Sequence, residues 1–307
     1  MSAFKDCTQI SPQCPLEATT YGYYPNLAGN TILCVVFGLC LILQVAFSIR
    51  GRTWTWMVCL SCGCLFEVLG YIGRLLMHQN PWDDSANRLQ IVTLIIGPSF
   101  TAAGIDLTLK HLVLHFGPDA SPLPAYLYTW LFIGVDIVSI LIQAAGGGLA
   151  ASGKTNTKLL DAGNKIIIAG IAVQVAQLAA LGLMSIYYAV NVRRLGYFNK
   201  ITASKRLRFF MCMVTIAYVA VLTRCIYRYV VRSFVALAYC YSIPEMASGW
   251  GKGLQRNETE FLVLDGGMVA LANVALTVAH PTFCFPRMAG RVRRELERSK
   301  EAGHESP

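Results

Sequence analysis

The sequence predicts an all-α fold: a polytopic membrane bundle of seven transmembrane helices, with the N-terminus outside and the C-terminus cytosolic. Three observations lead there. Of 307 residues, 55% are hydrophobic and only 14% charged, with a mean hydropathy of +0.49, whereas soluble domains carry about 25% charged residues. The apolar residues come in runs long enough to cross about 30 Å of hydrocarbon. The net charge of +9 gathers between those runs and at the C-terminus, as expected beside an anionic inner leaflet. A nucleic-acid surface would need a basic stripe with interleaved aromatics on a folded domain, and no such stripe exists here.

The predicted spans are Leu27–Ile49, Trp54–Met77, Leu89–Leu114, Leu123–Ala150, Lys165–Val190, Leu207–Val231 and Phe261–Phe285, each bounded by polar or turn-forming residues. They divide the chain into an extracellular tail (1–26), a seven-span membrane domain (27–285) and a basic cytosolic tail (286–307). The first span follows a neutral, Pro-containing tail without a basic n-region, so it reads as a retained signal anchor. Orientation follows the basic residues of the loops. With the N-terminus outside, the cytosolic set holds Arg50, Arg52, Lys110, the basic stretch from Arg193 to Arg208, and the tail from Arg287 to Lys300. The opposite face keeps the smaller set of Lys5, Arg74, Arg88, Lys154, Lys158, Lys165, Lys252 and Arg256. Trp54, Trp56, Trp82, Trp130 and Trp250 fall near span ends, where an aromatic belt is expected.

Several motifs are neutralised by context. Gly148 to Thr155 matches the phosphate-binding pattern G-x4-G-K-T, but it follows a span instead of a buried strand, so no nucleotide cofactor is implied. The glycines Gly146, Gly147 and Gly148 read instead as a close-packing, span-ending element. Cys59, Cys62 and Cys64 lack the second ligand pair that a structural zinc site needs, so no metal is expected. Cys7 and Cys14 are compatible with a disulfide if the tail lies outside the cytosol. The sequon Asn257-Glu258-Thr259 lies outside in this topology but abuts the seventh span, which disfavours glycosylation.

The informative residues are charges inside apolar spans. A charge near the bilayer centre costs at least about 2.5 kcal/mol, so it faces the bundle interior and seeks a partner. Glu67, Tyr71 and Arg74 share one face of the second span. Asp106 and Lys110, four apart in the third span after Pro98, are placed to pair. Asp136, Ser139 and Gln143 form a stripe on the fourth span, and Gln174 and Gln177 mark the fifth. The sixth carries Arg224, Arg228 and Arg232, and the seventh Asp265 and Asn273 before His280-Pro281. No nucleophile–base constellation is present, so no catalytic residue is assigned. One reading of the set is interhelical pairing that fixes the bundle; the other is a polar cavity for a polar head or for protons.

In their order, these motifs resemble the fungal RTA-type, or lipid-translocating exporter, family. The match runs through Tyr24-Pro25-x4-Asn30, Glu67-x2-Gly70-Tyr71-x2-Arg74, Pro98-x-Phe100-x-Ala102-Ala103 and Asp136-x2-Ser139-x3-Gln143-x2-Gly146-Gly147-Gly148. It continues through Gly170-x3-Gln174, Arg224-x2-Tyr227-Arg228, Glu258, Asp265 and His280-Pro281. The resemblance implies a seven-span protein with an extracellular N-terminus. Its partners would be membrane lipids, sphingoid bases or amphiphilic small molecules, exported with a gain in stress or drug resistance. The plasma membrane is the first expectation for location, and a vacuolar or other internal membrane the second. By position, the implied substrate-binding or translocation residues are Glu67, Tyr71, Arg74, Asp136, Gln143, Gln174, Arg224, Arg228, Glu258 and Asp265, and Asp106 joins the candidates as a charge within a span, without support from the family pattern.

Two departures stand out. Asp106 occupies a position where the family more often has tyrosine. After Arg228 the family resembles Tyr-Arg-x2-Glu, and removing Tyr229–Ser242 would join Arg228 to Ile243-Pro244-Glu245 and restore that spacing. The stretch reads either as a retained intron or gene-model error, which a spliced transcript encoding it would disprove, or as a real extension that lengthens the sixth span. The runner-up function is a receptor-like seven-span sensor of lipid or toxin stress whose basic third cytosolic loop binds a partner. An intramembrane isomerase or cyclase using Glu67 and Asp136 as acid and base is a third.

Overall fold

The computed structural model of the chain describes residues 25–116, 129–152, 157–194, 205–240 and 258–284. Seven helices in these residues are long and apolar enough to cross a membrane, and the described residues contain no strand. They are α1 (Leu27–Gly51), α2 (Trp54–Gln79), α3 (Asp84–Phe116), α4 (Gly134–Ser152), α5 (Thr157–Arg194), α6 (Lys205–Cys240) and the seventh span Glu258–Cys284, whose main helix is α7 (Met268–Val278). Two π-helical turns interrupt the pattern: Thr129–Ile133 leads into α4, and Phe261–Gly267 precedes α7. Such turns are rare, are costly in hydrogen-bond geometry and recur at functional sites.

Local chemistry explains the boundaries. Asn26 caps α1 by accepting from the Gly29 N–H at 3.1 Å, satisfying one of the orphan donors of a helix start. At the other end Arg52 takes a left-handed conformation (φ 52°) and returns its N–H to the last carbonyls of α1, so that α2 can begin after Thr53. The fifth helix starts at Thr157, earlier than the expected Lys165. At 38 residues and about 1.5 Å per residue it must tilt in the bilayer or extend past it. The sixth helix runs without a break through Tyr229 to Cys240; residues 241–257 lie outside the described set.

Neighbours in sequence pack against each other: α1 on α2, α2 on α3, α4 on α5, and α6 on α5 and α7. The third helix is the central one, with 72% of its most apolar window buried against 22% for α1. The first and fourth helices turn Ile32, Val35, Leu39, Ile137, Val138 and Leu141 outward, a surface suited to lipid and not to water. Not every expected belt residue lies outside. Trp54 and Trp130 are exposed, but Trp56 is buried between Phe210 and His280. Trp250 falls outside the described residues.

The bundle has two unlike halves. Toward the His280 end, Leu60, Ile105, Leu109, Leu181, Phe210 and Leu276 belong to one large apolar cluster. Toward the Asn26 end a smaller cluster of Phe37, Tyr71, Leu94, Val269 and Ala270 shares the interior with charged and amide side chains. Polar side chains continue into the apolar half, where Asp106 lies between Ile105 and Leu109 along α3 and Gln44, Ser48, Thr277 and His280 are buried.

Candidate functional site

At the Asn26 end, Arg74 of α2 is held from three sides. Its Nε donates to Asn30 Oδ1 at 2.8 Å, and its Nη2 reaches Glu258 Oε1 at 3.1 Å. Its guanidinium also lies 4.3 Å over the Phe261 ring, a cation–π contact. The same Glu258 oxygen accepts from the Asn26 backbone N–H at 2.6 Å. This knot ties the starts of α1 and the seventh span to the end of α2, so Arg74 and Glu258 neutralise one another.

One level deeper, Asp265 gathers two guanidiniums. Arg228 binds it in fork geometry, Nε to Oδ1 at 2.8 Å and Nη2 to Oδ2 at 2.9 Å, the strong bidentate arrangement. Arg224 Nε forms an ion pair with Oδ1 at 2.9 Å without hydrogen-bond alignment. Its Nη2 instead donates to the Leu94 carbonyl at 2.6 Å. That carbonyl is free because its helical partner four residues on is Pro98, which has no N–H. The π turn carrying Asp265 and the proline in α3 thus meet through one arginine side chain.

Glu67 sits at the same level and is 1% exposed. It does not pair with Arg74, two turns away on its own face, because Arg74 is engaged by Glu258 and Asn30. The Glu67 carboxyl lies across Gly97, where an added Cβ would stand 2.9 Å from Oε1. Oε1 has no hydrogen-bond partner. Glu67 feels Arg224, Arg228 and Asp265 only through space. Tyr71, stacked on Phe37 at 5.6 Å, closes this level, with its hydroxyl end against Gly266.

Below it, amides bridge three helices. Gln174 Nε2 donates to Ser99 Oγ at 2.9 Å, and Gln143 Nε2 donates to Gln174 Oε1 at 3.3 Å and to Ser139 Oγ at 3.2 Å. Beside this ladder, Asn273 of α7 donates to Thr101 at 3.3 Å and accepts from Cys64 at 3.3 Å. The tight α4–α5 contact that supports the ladder comes from Gly146 and Gly170. A Cβ on Gly146 would meet α5 backbone at 2.8 Å, whereas Gly147 and Gly148 face open space. Of the three-glycine run, only the first packs a helix.

The lowest level holds Asp106 and Asp136, both buried. Asp106 does not pair with Lys110. Its Oδ2 accepts from Gln177 Nε2 at 3.3 Å, because the Asp106 side chain faces α5. Asp106 Oδ1, both oxygens of Asp136, and Gln177 Oε1 are buried without hydrogen-bond partners, and the two carboxyls are in electrostatic range of one another. Along α3, Gly97 and Asp106 are about 14 Å apart at 1.5 Å per residue, so the bundle carries two unpaired carboxyl levels.

The structure thus separates the expected residues. Arg74 and Glu258 form an end knot; Arg224, Arg228 and Asp265 form a triad beside Glu67 and Tyr71; Gln143 and Gln174 form a ladder; Asp106 and Asp136 lie below. Ser99 and the Leu94 carbonyl were not expected as partners, and Asn30 and Gln177 were marked in the sequence without a place among the site residues. Pro98, four residues after Leu94, was the available signal for the Leu94 carbonyl. Near the His280 end, Gln44 donates to Thr277 at 2.8 Å, and Ser48 and His280 Nε2 are 3.0 Å apart, which joins α1 to the seventh span.

Comparison with known proteins agrees with the seven-span architecture. The chain is 31% identical over 296 residues, covering 86% of it and 74% of the relative, to the sphingoid long-chain base transporter RSB1 of Saccharomyces cerevisiae. It is 36% identical over 135 residues, 43% of each chain, to protoporphyrin uptake protein 1 of the same species. To protein RTM1 of Saccharomyces cerevisiae it is 27% identical over 179 residues, 58% of this chain and 56% of the relative. No solved structure matches it. Residues 60–288 match the family model described as RTA1 like protein, and the chain belongs to that family of multi-pass membrane proteins.

Proposed function

We propose that this protein exports single-chain cationic amphiphiles, sphingoid bases or toxic compounds of similar shape, across the plasma membrane, with its N-terminus outside. The cationic head is seated on interior carboxyls, Glu67 and Asp136 foremost, while the hydrocarbon chain stays in lipid. The observation that carries this reading is a charge imbalance. The interior carboxyls of Glu67, Asp106, Asp136 and Asp265 outnumber the guanidiniums of Arg224 and Arg228 by two, and both arginines are spent on Asp265. Unpaired carboxyls in a low-dielectric interior are costly unless protons or a cation join them, so a cationic head is stabilised where a neutral or anionic one is not. The name of the sphingoid-base transporter relative supports the same ligand class.

Reconstitution tests it. Purified protein in liposomes should accelerate leaflet exchange of a fluorescent sphingoid base, and Glu67→Gln or Asp136→Asn should each lower the rate at least tenfold. Full rates in both variants, with folding intact, would contradict the carboxyl seat. No movement by the wild type would contradict the carrier.

A further inference from the structure

The lower carboxyl level holds more acceptors than donors. Asp106 Oδ1, Asp136 Oδ1 and Oδ2, and Gln177 Oε1 are all buried and lack a donor. Gln177, itself 5% exposed, donates to Asp106 through Nε2 and leaves its carbonyl oxygen orphaned. Among the described residues, the groups in electrostatic range of the pair bring no cation that is free to neutralise it: Gln177 of α5 bonds it directly, and Cys59 of α2 with Tyr218 and Cys225 of α6 lie within range. Arg224, next to Cys225, is committed to Asp265 and the Leu94 carbonyl. Lys110, one turn along α3, makes no ion pair with Asp106 among the described residues. Two like carboxyls in electrostatic range cannot both ionise at this depth without a cation.

We propose that Asp106, Asp136 and Gln177 form a proton-loading site that couples transport to protons: it holds a proton when empty and gives it up when the cationic head enters. The exchange balances. One carboxyl O–H bond breaks, its proton passes to water, and the incoming cation takes over the charge of the carboxylate left behind. The ligand class rests on the carrier reading above, but the proton exchange is a separate property with its own readout.

The probe is dodecyltrimethylammonium, a permanent cation that brings no proton of its own. It is added to the full-length protein in nanodiscs, in weakly buffered solution with a pH dye, while binding is followed in parallel. The wild type should release about one proton per bound probe. Its affinity should rise about tenfold per pH unit, because removing protons from the site favours the cation, as linkage requires for one exchanged proton. Both Asp106→Asn/Asp136→Asn and Glu67→Gln should bind the probe more weakly, so release is read per molecule of bound probe at raised concentration: the double variant should release none, Glu67→Gln should still release about one, and a neutral single-chain probe should cause none. Binding by the wild type without release, release that survives the double substitution, or release lost in Glu67→Gln would each overturn the proposal and leave the carrier reading standing. Failure of the wild type to bind the probe at all would defeat both. If the double variant fails to fold, Glu67→Gln carries the test, because it removes the other unpaired carboxyl and both the release and the tenfold pH dependence should persist in it.

Discussion

Asp265 is the shared partner of two arginines inside a bilayer-spanning bundle, so its loss strands more charge than it removes. Asp265→Asn should destabilise the protein by about 3 kcal/mol or more, the scale of breaking one partner out of a buried pair. Arg228→Gln on that background should recover part of the loss, and thermal unfolding in detergent reads both. If Asp265→Asn were as stable as wild type, the triad would not be an ion-pair network. At this scale the sequence revealed which residues matter more readily than whom they bind. Glu67, Arg74, Asp136, Arg224 and Asp265 were visible as charges in apolar runs, because the cost of burial marks them one at a time. Their pairing was not visible. Arg74 turns from Glu67 to Glu258, and Asp106 from Lys110 to Gln177, because the choice depends on which helix lies opposite, which spacing along one helix does not encode.

The elements themselves carry two tests. Pro98 frees the Leu94 carbonyl and Arg224 fills it, so the two positions should be coupled. Arg224→Met should cost about 1–2 kcal/mol less in a Pro98→Ala background, where α3 satisfies its own carbonyl, and a double-mutant cycle measures that coupling. Additive effects would mean that Arg224 is not the surrogate partner. The glycine run gives a sharper contrast. Gly146→Ala forces a methyl against α5 backbone and should cost about 1–3 kcal/mol. Gly147→Ala and Gly148→Ala, in open space, should fall within about 0.5 kcal/mol of wild type or improve helix stability. Melting temperatures of the three variants check this. Span positions were readable because length and apolarity alone set them. The π turns at Thr129–Ile133 and Phe261–Gly267 were not, since nothing in the local composition marks an extra residue per turn and the neighbouring helices hold it in place.

For the whole molecule, the distribution of lysine and arginine predicts sidedness. A glycosylation acceptor fused at the N-terminus should be modified in cells and one fused at the C-terminus should not; the reverse pattern would invert the proposed direction of export. The sorting of polar side chains into separate levels was beyond the sequence, because apolar and polar residues alternate along every helix and meet their partners only when the seven helices stand side by side. The two unpaired carboxyl levels, Glu67 above and Asp106 with Asp136 below, follow from that sorting and are the basis of the proposed selectivity. The most direct test is a head-group series on the wild-type protein in liposomes: three single-chain amphiphiles of equal chain length, one cationic, one neutral and one anionic, with leaflet exchange followed for each. Exchange of the cationic molecule should exceed that of the other two by at least tenfold, whereas equal rates for all three, or a preference for the anionic one, would contradict a carrier built on excess interior carboxyls.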